Sequence, residues 1–162
     1  MNGYCVFDVE TTTNTSYKRK ANPFSPDNWV VYVGAKFNGE ESEVTRYLHP
    51  EANKGWLAKL LARNPKMLIT FNGKFDILHA IVRDEENLEA YMKWVAEGGI
   101  IWDGQLAEYL VRGMLPEHQM LSLDEVAPRY GGDTKVDEVK SMWEAGIDTP
   151  DIPEDLLTRY LH

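Results

Sequence analysis

Tyr4-Cys5-Val6-Phe7-Asp8-Val9-Glu10 is the stretch on which the fold turns. Through Phe7 it is apolar at odd and even positions alike, the pattern of a central strand covered on both faces. Asp8 and Glu10 break that pattern at its carboxyl end. Residues two apart in a strand point to one face, about 6.6 Å apart along the chain. The two carboxylates therefore share a face, where like charges repel and desolvation makes each ionised form costlier. A bound cation would offset both penalties. The plainer alternative is a pair of solvated carboxylates where the strand leaves the sheet.

Downstream, residues 11–28 are polar and carry Pro23 and Pro26, so they read as a long loop, a feature often tied to function. Two strands follow, about 29–37 and 43–49, joined through the turn dipeptide Asn38-Gly39. Residues 51–63 have helical spacing, with Trp56, Leu57, Leu60 and Leu61 on one face, and Pro65 closes that helix. Met67–Phe71 is a short apolar strand, Asn72-Gly73 a turn, and 74–83 a helix. Asp84 is placed to cap a further helix through Glu97, ended by Gly98-Gly99. Ile100–Trp102 is a last strand, and Asp103 stands at the N-cap of a helix carrying Leu106, Ala107, Leu110 and Val111. The remainder reads as helical pieces at about 122–130, 136–145 and 153–162. Three strands, then strands alternating with helices, then a helical tail imply an α/β fold: an antiparallel meander continued by βα crossovers, in a mixed five-stranded sheet flanked by helices.

The 162 residues, 43% hydrophobic and 27% charged, read as one domain spanning 1–162 with a real core. No apolar run approaches the ~18–20 residues of a membrane span, and no secretory signal precedes the first strand. Cys5, the one cysteine, excludes an internal disulfide and points to a reducing, cytoplasmic setting. Within an apolar strand it reads as a small core residue. A net charge of −9 argues against a nucleic-acid binder, unless the acidic residues hold divalent metal or an attached domain supplies the grip.

Asp76 is the third notable carboxylate. Phe75, Ile77, Leu78, Ala80, Ile81 and Val82 surround it, so its helix is buried and the charge needs a partner. Lys74 or Arg83 could pair with it. Its strand delivers Asn72 and Asp76 to the carboxyl end of a sheet, where sites of open α/β folds collect. Three carboxylates on two elements suit hard divalent cations, magnesium or manganese. His49, His79, His118 and His162 lack the paired spacing of a zinc site.

These residues match a family. Phe7-Asp8-Val9-Glu10-Thr11-Thr12 resembles the first exonuclease motif of the DEDD superfamily, and Asn72-Gly73-Lys74-Phe75-Asp76 resembles the second. Trp102-Asp103-Gly104-Gln105-Leu106-Ala107-Glu108-Tyr109-Leu110 is similar to the helix start between the second and third motifs. Lys135–Trp143, Gly146, Ile152-Pro153 and Leu156–Leu161 resemble the approach to the third motif in proofreading domains of family A DNA polymerases, especially phage ones.

The resemblance implies a ribonuclease H-like fold and a 3′→5′ exonuclease that removes nucleotides from single-stranded or frayed DNA 3′ ends. Its two metal ions, Mg²⁺ or Mn²⁺ at ~3.5–4 Å separation, would be held by Asp8, Glu10 and Asp76. Thr11, Thr12, Asn72 and Phe75 would line the pocket for the terminal nucleotide, and Tyr160 would orient the attacking water. A covalently attached polymerase domain and, for a phage protein, the host cytoplasm are also implied.

The third motif of the tyrosine branch is Tyr-x-x-x-Asp, and Tyr160 is followed only by Leu161 and His162. The resemblance therefore implies a fragment of a longer polymerase whose fourth carboxylate is missing, and a poor nuclease as it stands. Without the resemblance, Tyr160 with Leu156, Leu157 and Leu161 is an apolar packing stripe. Lys18-Arg19-Lys20 is either a solvated basic loop or a DNA-backbone contact. An RNA-trimming exoribonuclease and an inactive DNA-end-binding module are the competing functions.

Overall fold

The structure is a computed structural model that describes residues 3–13, 21–116, 120–132 and 137–161. Lys18, Arg19, Lys20, His118, Lys135 and His162 lie outside them. Strands β1 (Tyr4–Thr11), β2 (Val30–Phe37), β3 (Glu43–Arg46), β4 (Met67–Thr70) and β5 (Ile100–Asp103) form one sheet in the order β3-β2-β1-β4-β5. β1, β2 and β3 are antiparallel, while β4 and β5 run parallel to β1. This is the expected mixed five-stranded sheet of the ribonuclease H-like class. The helices are α1 (Trp56–Ala62), α2 (Gly73–Ile81), α3 (Glu85–Ala96), α4 (Gly104–Val111), α5 (Leu123–Val126), α6 (Asp137–Glu144) and α7 (Glu154–Leu161).

One face of the sheet packs on α1, α2 and α3. Cys5, Phe7 and Val9 of β1 and Leu68 of β4 meet Trp56, Leu57 and Leu61 of α1, Ile77 and Ala80 of α2, and Trp94 of α3. At seven residues α1 is too short to hold itself together. Burial of its three apolar side chains, each contributing roughly 1.5–3 kcal/mol, keeps it in place. It starts at Trp56 rather than at residue 51. Gly55 adopts φ 68°, and its N–H donates to the Asp84 carboxylate at 2.8 Å, so residues 51–55 form turns that aim the chain into the helix. The segment expected as a helix over 122–130 is α-helical only through Val126. It continues as a 3-10 turn over Ala127–Tyr130, where Pro128 has no N–H to give an α-helical ladder.

On the opposite face, α6 and α7 cover β2 and β3. Val139, Ile152 and Leu157 form a second core with Val31 and Tyr32. Arg46 of β3 fixes the start of α7 by donating to Glu154 at 2.8 Å and to the Pro150 carbonyl at 3.1 Å. This layer reaches the sheet's middle at Gly34, where an added Cβ would stand 3.3 Å from the Leu161 Cβ. Beyond that line the face is only partly covered among the described residues. Tyr4 and Val6 are each 39% exposed, so β1 is not covered on both sides as its composition predicts. Apolar residues at every position report the hydrophobicity of both faces, not whether a second layer arrives.

Candidate functional site

Asp8 and Glu10 sit on one face of β1, both half-buried, in register with Gly34 and Tyr32 of β2. β1 pairs with β4 only over Tyr4–Val6, so both carboxylates project past the carboxyl end of β4. There the chain turns through Asn72 into α2. The same-face expectation holds, and the carboxylates are partly desolvated rather than fully hydrated.

Asp76 lies in the first turn of α2 and is 2% exposed. The buried positions of that helix are Gly73, Asp76, Ile77 and Ala80, an inward stripe at helical spacing, so Asp76 belongs to the buried side. Among the described residues, no three His, Cys, Asp or Glu side chains come together closely enough to hold a metal ion. The site thus offers a pair of hard-oxygen donors on β1 and a separate buried carboxylate at the start of α2.

The start of α2 is strongly determined. Asn72 is exposed and left-handed (φ 67°, ψ 45°), a conformation Asn tolerates better than other non-glycine residues. Gly73 is required: a Cβ there would fall 2.0 Å from Thr70 Oγ1. Asp103, expected only as the cap of α4, also accepts from the Asn72 N–H at 3.2 Å and the Gly73 N–H at 2.9 Å. Together with Gln105 N at 2.9 Å and Leu106 N at 3.3 Å, one carboxylate ties the starts of two helices together. The Thr70–Asp103 pairing of β4 and β5 makes this possible, a long-range neighbour relation that helix-cap signals do not carry.

Phe75 is half-buried and packs at a tilt against His79, with ring centroids 4.3 Å apart. His79 Nδ1 lies 3.0 Å from the Phe75 carbonyl, and burial holds its pKa below the ordinary imidazole value. His79 is thus a packed residue of α2, in keeping with its isolated spacing.

Thr11 and Thr12 are buried and engaged within the protein. The Thr11 carbonyl accepts from the Thr149 hydroxyl at 2.6 Å, and that hydroxyl accepts from Trp143 Nε1 at 3.0 Å. The Thr12 hydroxyl donates to the Asp27 carbonyl at 3.2 Å and accepts from the Trp29 N–H at 3.0 Å. The Asp148 carboxylate accepts from the Thr13 N–H at 2.7 Å and caps Thr149. The Thr13–Asp148 and Thr11–Thr149 bonds pin the exit of β1 to the α6–α7 unit. They join residues about 135 apart in sequence, and no local motif signals them.

Tyr160 packs edge-on against Trp143 at 5.5 Å in the second core, as its apolar stripe predicts. Its helix ends over Gly34, the register partner of Asp8, so α7 finishes beside the first carboxylate. A cavity of about 320 Å³ also adjoins Asp8, walled by Val6, Ile69, Phe71, Trp102 and Leu123. Farther out, Glu108 of α4 is 5% exposed and accepts from Tyr130 at 2.6 Å, Arg112 at 2.9 Å and Arg129 at 3.1 Å. Those donors, the Tyr130 hydroxyl foremost, hold its carboxyl below the usual carboxylate range. This hub fastens the Ala127–Tyr130 turn to α4.

Comparison with solved structures finds this fold within a DNA polymerase. The structure of the family B DNA polymerase from the hyperthermophilic archaeon Pyrobaculum calidifontis superimposes with a TM-score of 0.57 over 98% of this chain, at 19% sequence identity. What the two share is the fold. The chain spans 22% of the length of that polymerase chain. No family model and no curated protein matches the sequence. Among the described residues, no helix is long and apolar enough to cross a membrane.

Proposed function

We propose that this chain is a polymerase-associated 3′→5′ exonuclease domain acting on single-stranded or frayed DNA 3′ ends. The observation that carries the reading is the position of Asp8 and Glu10. They lie together on one face of the central strand, past the end of β4, with α7 finishing over the register partner of Asp8. The polymerase neighbour supports it through the fold, and the motif resemblance through Asp8, Glu10, Asn72 and Asp76. Asp8 and Glu10 would hold a hard divalent cation, Mg²⁺ or Mn²⁺, which when bound supplies a polarised water and charge neutralisation at the phosphate. Among the described residues, Asp76 is not gathered with them into a three-carboxylate set. Asn72 and Phe75 stand at the start of α2, while Tyr160, in the helix that ends over Gly34, packs on Trp143.

The test is digestion of 5′-labelled single-stranded DNA with Mn²⁺, beside the same sequence as RNA and an Asp8→Ala control of unchanged fold. Stepwise loss of 3′ nucleotides from DNA, absent in the control, is the expected outcome. Preferential loss from RNA would instead make the chain an exoribonuclease. A second reading, a DNA-end-binding module without catalysis, is favoured by the absence of a three-carboxylate cluster among the described residues. DNA binding with no cleavage under any divalent metal would establish it.

A further inference from the structure

Building on the exonuclease reading, we propose that Thr149 is a positioning residue of the candidate site. Its hydroxyl sets the backbone that follows Glu10 and couples it to Tyr160. The sheet is irregular at this point. Glu10 is in register with Tyr32, but Thr11 is in register with Val30, so β2 carries Val31 as an extra residue at this step. The packing follows the same break: Val31 and Tyr32 both belong to the second core, while Val30 and Val33 belong to the first. Bulges of this kind bend a strand and re-aim its side chains, and they gather beside active sites. Here the bulge falls directly after the second carboxylate of the β1 pair.

Buried backbone groups at such a break need partners from outside the regular ladder. The Val31 carbonyl accepts from the Tyr47 N–H at 2.7 Å. The Thr11 carbonyl accepts from the Thr149 hydroxyl at 2.6 Å, across 138 positions of sequence. Thr149 has no exposed surface, and a threonine hydroxyl has a single proton to give. That proton goes to Thr11, while the oxygen accepts from Trp143 Nε1 at 3.0 Å. Trp143 in turn meets Tyr160 edge-on, with ring centroids 5.5 Å apart and an interplanar angle of 88°.

Two hydrogen bonds and one ring contact thus run from Tyr160, through Trp143 and Thr149, to the peptide that follows Glu10. Glu10 is carried by a strand whose Phe7 and Val9 fill the first core, whereas Tyr160 packs in the second. The relay joins the two, so that their separation is set by hydrogen bonds rather than by apolar packing alone. Apolar contacts are non-directional, while a hydrogen bond fixes distance and angle. Such definition matters at a reacting centre, where a ~1 Å misplacement can cost roughly a hundredfold in rate. The neighbouring residue is held as well, since Asp148 accepts from the Thr13 N–H at 2.7 Å.

The test compares the intact chain with Thr149→Val, which keeps the shape and loses the proton, and Thr149→Ser, which keeps the proton and loses a methyl. Carbon-13 NMR reads the Glu10 carboxyl and the Tyr160 ring, and urea midpoints are read alongside. Thr149→Val should move both signals, and Thr149→Ser should return both to the parent positions although it too loses stability. Trp143→Phe removes the other hydrogen bond of the relay and replaces the valine variant if that one does not fold; it should move the Glu10 signal. Signals that stay in place in the folded variants, or that follow the urea midpoint in valine and serine alike, would overturn the proposal. On 5′-labelled single-stranded DNA with Mn²⁺, Thr149→Val should lower kcat at least about tenfold with KM unchanged, and Thr149→Ser should restore it. An equal fall in kcat for both variants would also overturn the positioning role. A parent chain that cuts no DNA would sink the exonuclease reading alone, and the NMR comparison would still decide the coupling.

Discussion

Replacing Gly73 with alanine should destabilise the protein, although alanine is the better helix former by ~1 kcal/mol in a helix interior. The new Cβ would stand 2.0 Å from Thr70 Oγ1 and 3.1 Å from Thr70 Cβ. Non-bonded heavy atoms are most comfortable at about 3.5–4.0 Å, so the nearer contact is short by roughly 1.5 Å. Thr70 is 4% exposed and β-branched, which leaves its hydroxyl little room to swing away. Overpacking of this kind costs about 1–3 kcal/mol and outweighs the propensity gain, which is smaller in a first turn than in mid-helix. The partner mutation is informative because the Thr70 hydroxyl is buried with no hydrogen-bond partner among the described residues. Thr70→Ala therefore loses about one methyl group's burial, ~0.8 kcal/mol, and no hydrogen bond. It also removes the clashing atom. Urea unfolding of the parent, both single variants and the double variant closes the cycle, provided the slope is unchanged. The double variant should recover at least ~1 kcal/mol relative to the sum of the singles. A Gly73→Ala protein as stable as the parent, or strict additivity, would refute the steric reading of this joint.

Three further outcomes follow from named contacts. Asp103→Ala removes the acceptor for four backbone N–H groups at two helix starts and should cost about 2–3 kcal/mol. Asp103→Asn keeps one acceptor oxygen and should recover about half, whereas equal midpoints for Ala and Asn would contradict the two-helix tie. Burial raises the Cys5 thiol from its ordinary 9.0 to about 11. Its contribution is therefore intact below pH 9 and lost as pH rises towards 11, by about 2–3 kcal/mol. Between pH 8 and pH 11 the urea midpoint of the parent should fall relative to that of Cys5→Val, and a gap independent of pH would disprove the shift. Glu108 behaves oppositely: its lowered pKa stabilises the fold above the ordinary carboxylate range, and that stability is lost as pH falls through the folded value. Intrinsic-rate-corrected hydrogen exchange at Gly131 and Gly132 should speed up in acid for the parent and lose this pH dependence in Glu108→Gln.

How far the sequence reached depends on the range of the interaction concerned. The face shared by Asp8 and Glu10 was legible because a strand's period of two is a local property. The burial of Asp76 was legible because its helix is apolar nearly all round, and the caps at Asp84 and Asp103 because they act within three residues. What escaped is tertiary. The Asp148–Thr13 and Thr149–Thr11 bonds, the Glu108 hub and the second role of Asp103 join segments that only the sheet order brings together. The partly covered half-face escaped for a different reason. Hydrophobicity at even positions of β1 states what those residues need, and the sequence pattern cannot say where the covering layer comes from.

The start of α2, residues 72–76, is geometrically over-determined. Three separate constraints converge there: a left-handed Asn72, a Gly73 that alone fits against Thr70, and the Asp103 carboxylate holding both N–H groups. A helix start needs none of these to exist, because a serine or aspartate cap and an ordinary first residue would serve. Left-handed non-glycine backbone persists where its surroundings enforce it, and such positions cluster at functional sites. The effect of all three is to fix where the first turn of α2 emerges from β4, and hence where Phe75 and the buried Asp76 stand relative to the end of β1. A scaffold concerned only with burying Ile77 and Ala80 would tolerate a half-turn of slack at this point. The absence of that slack fits the role proposed for the first turn of α2.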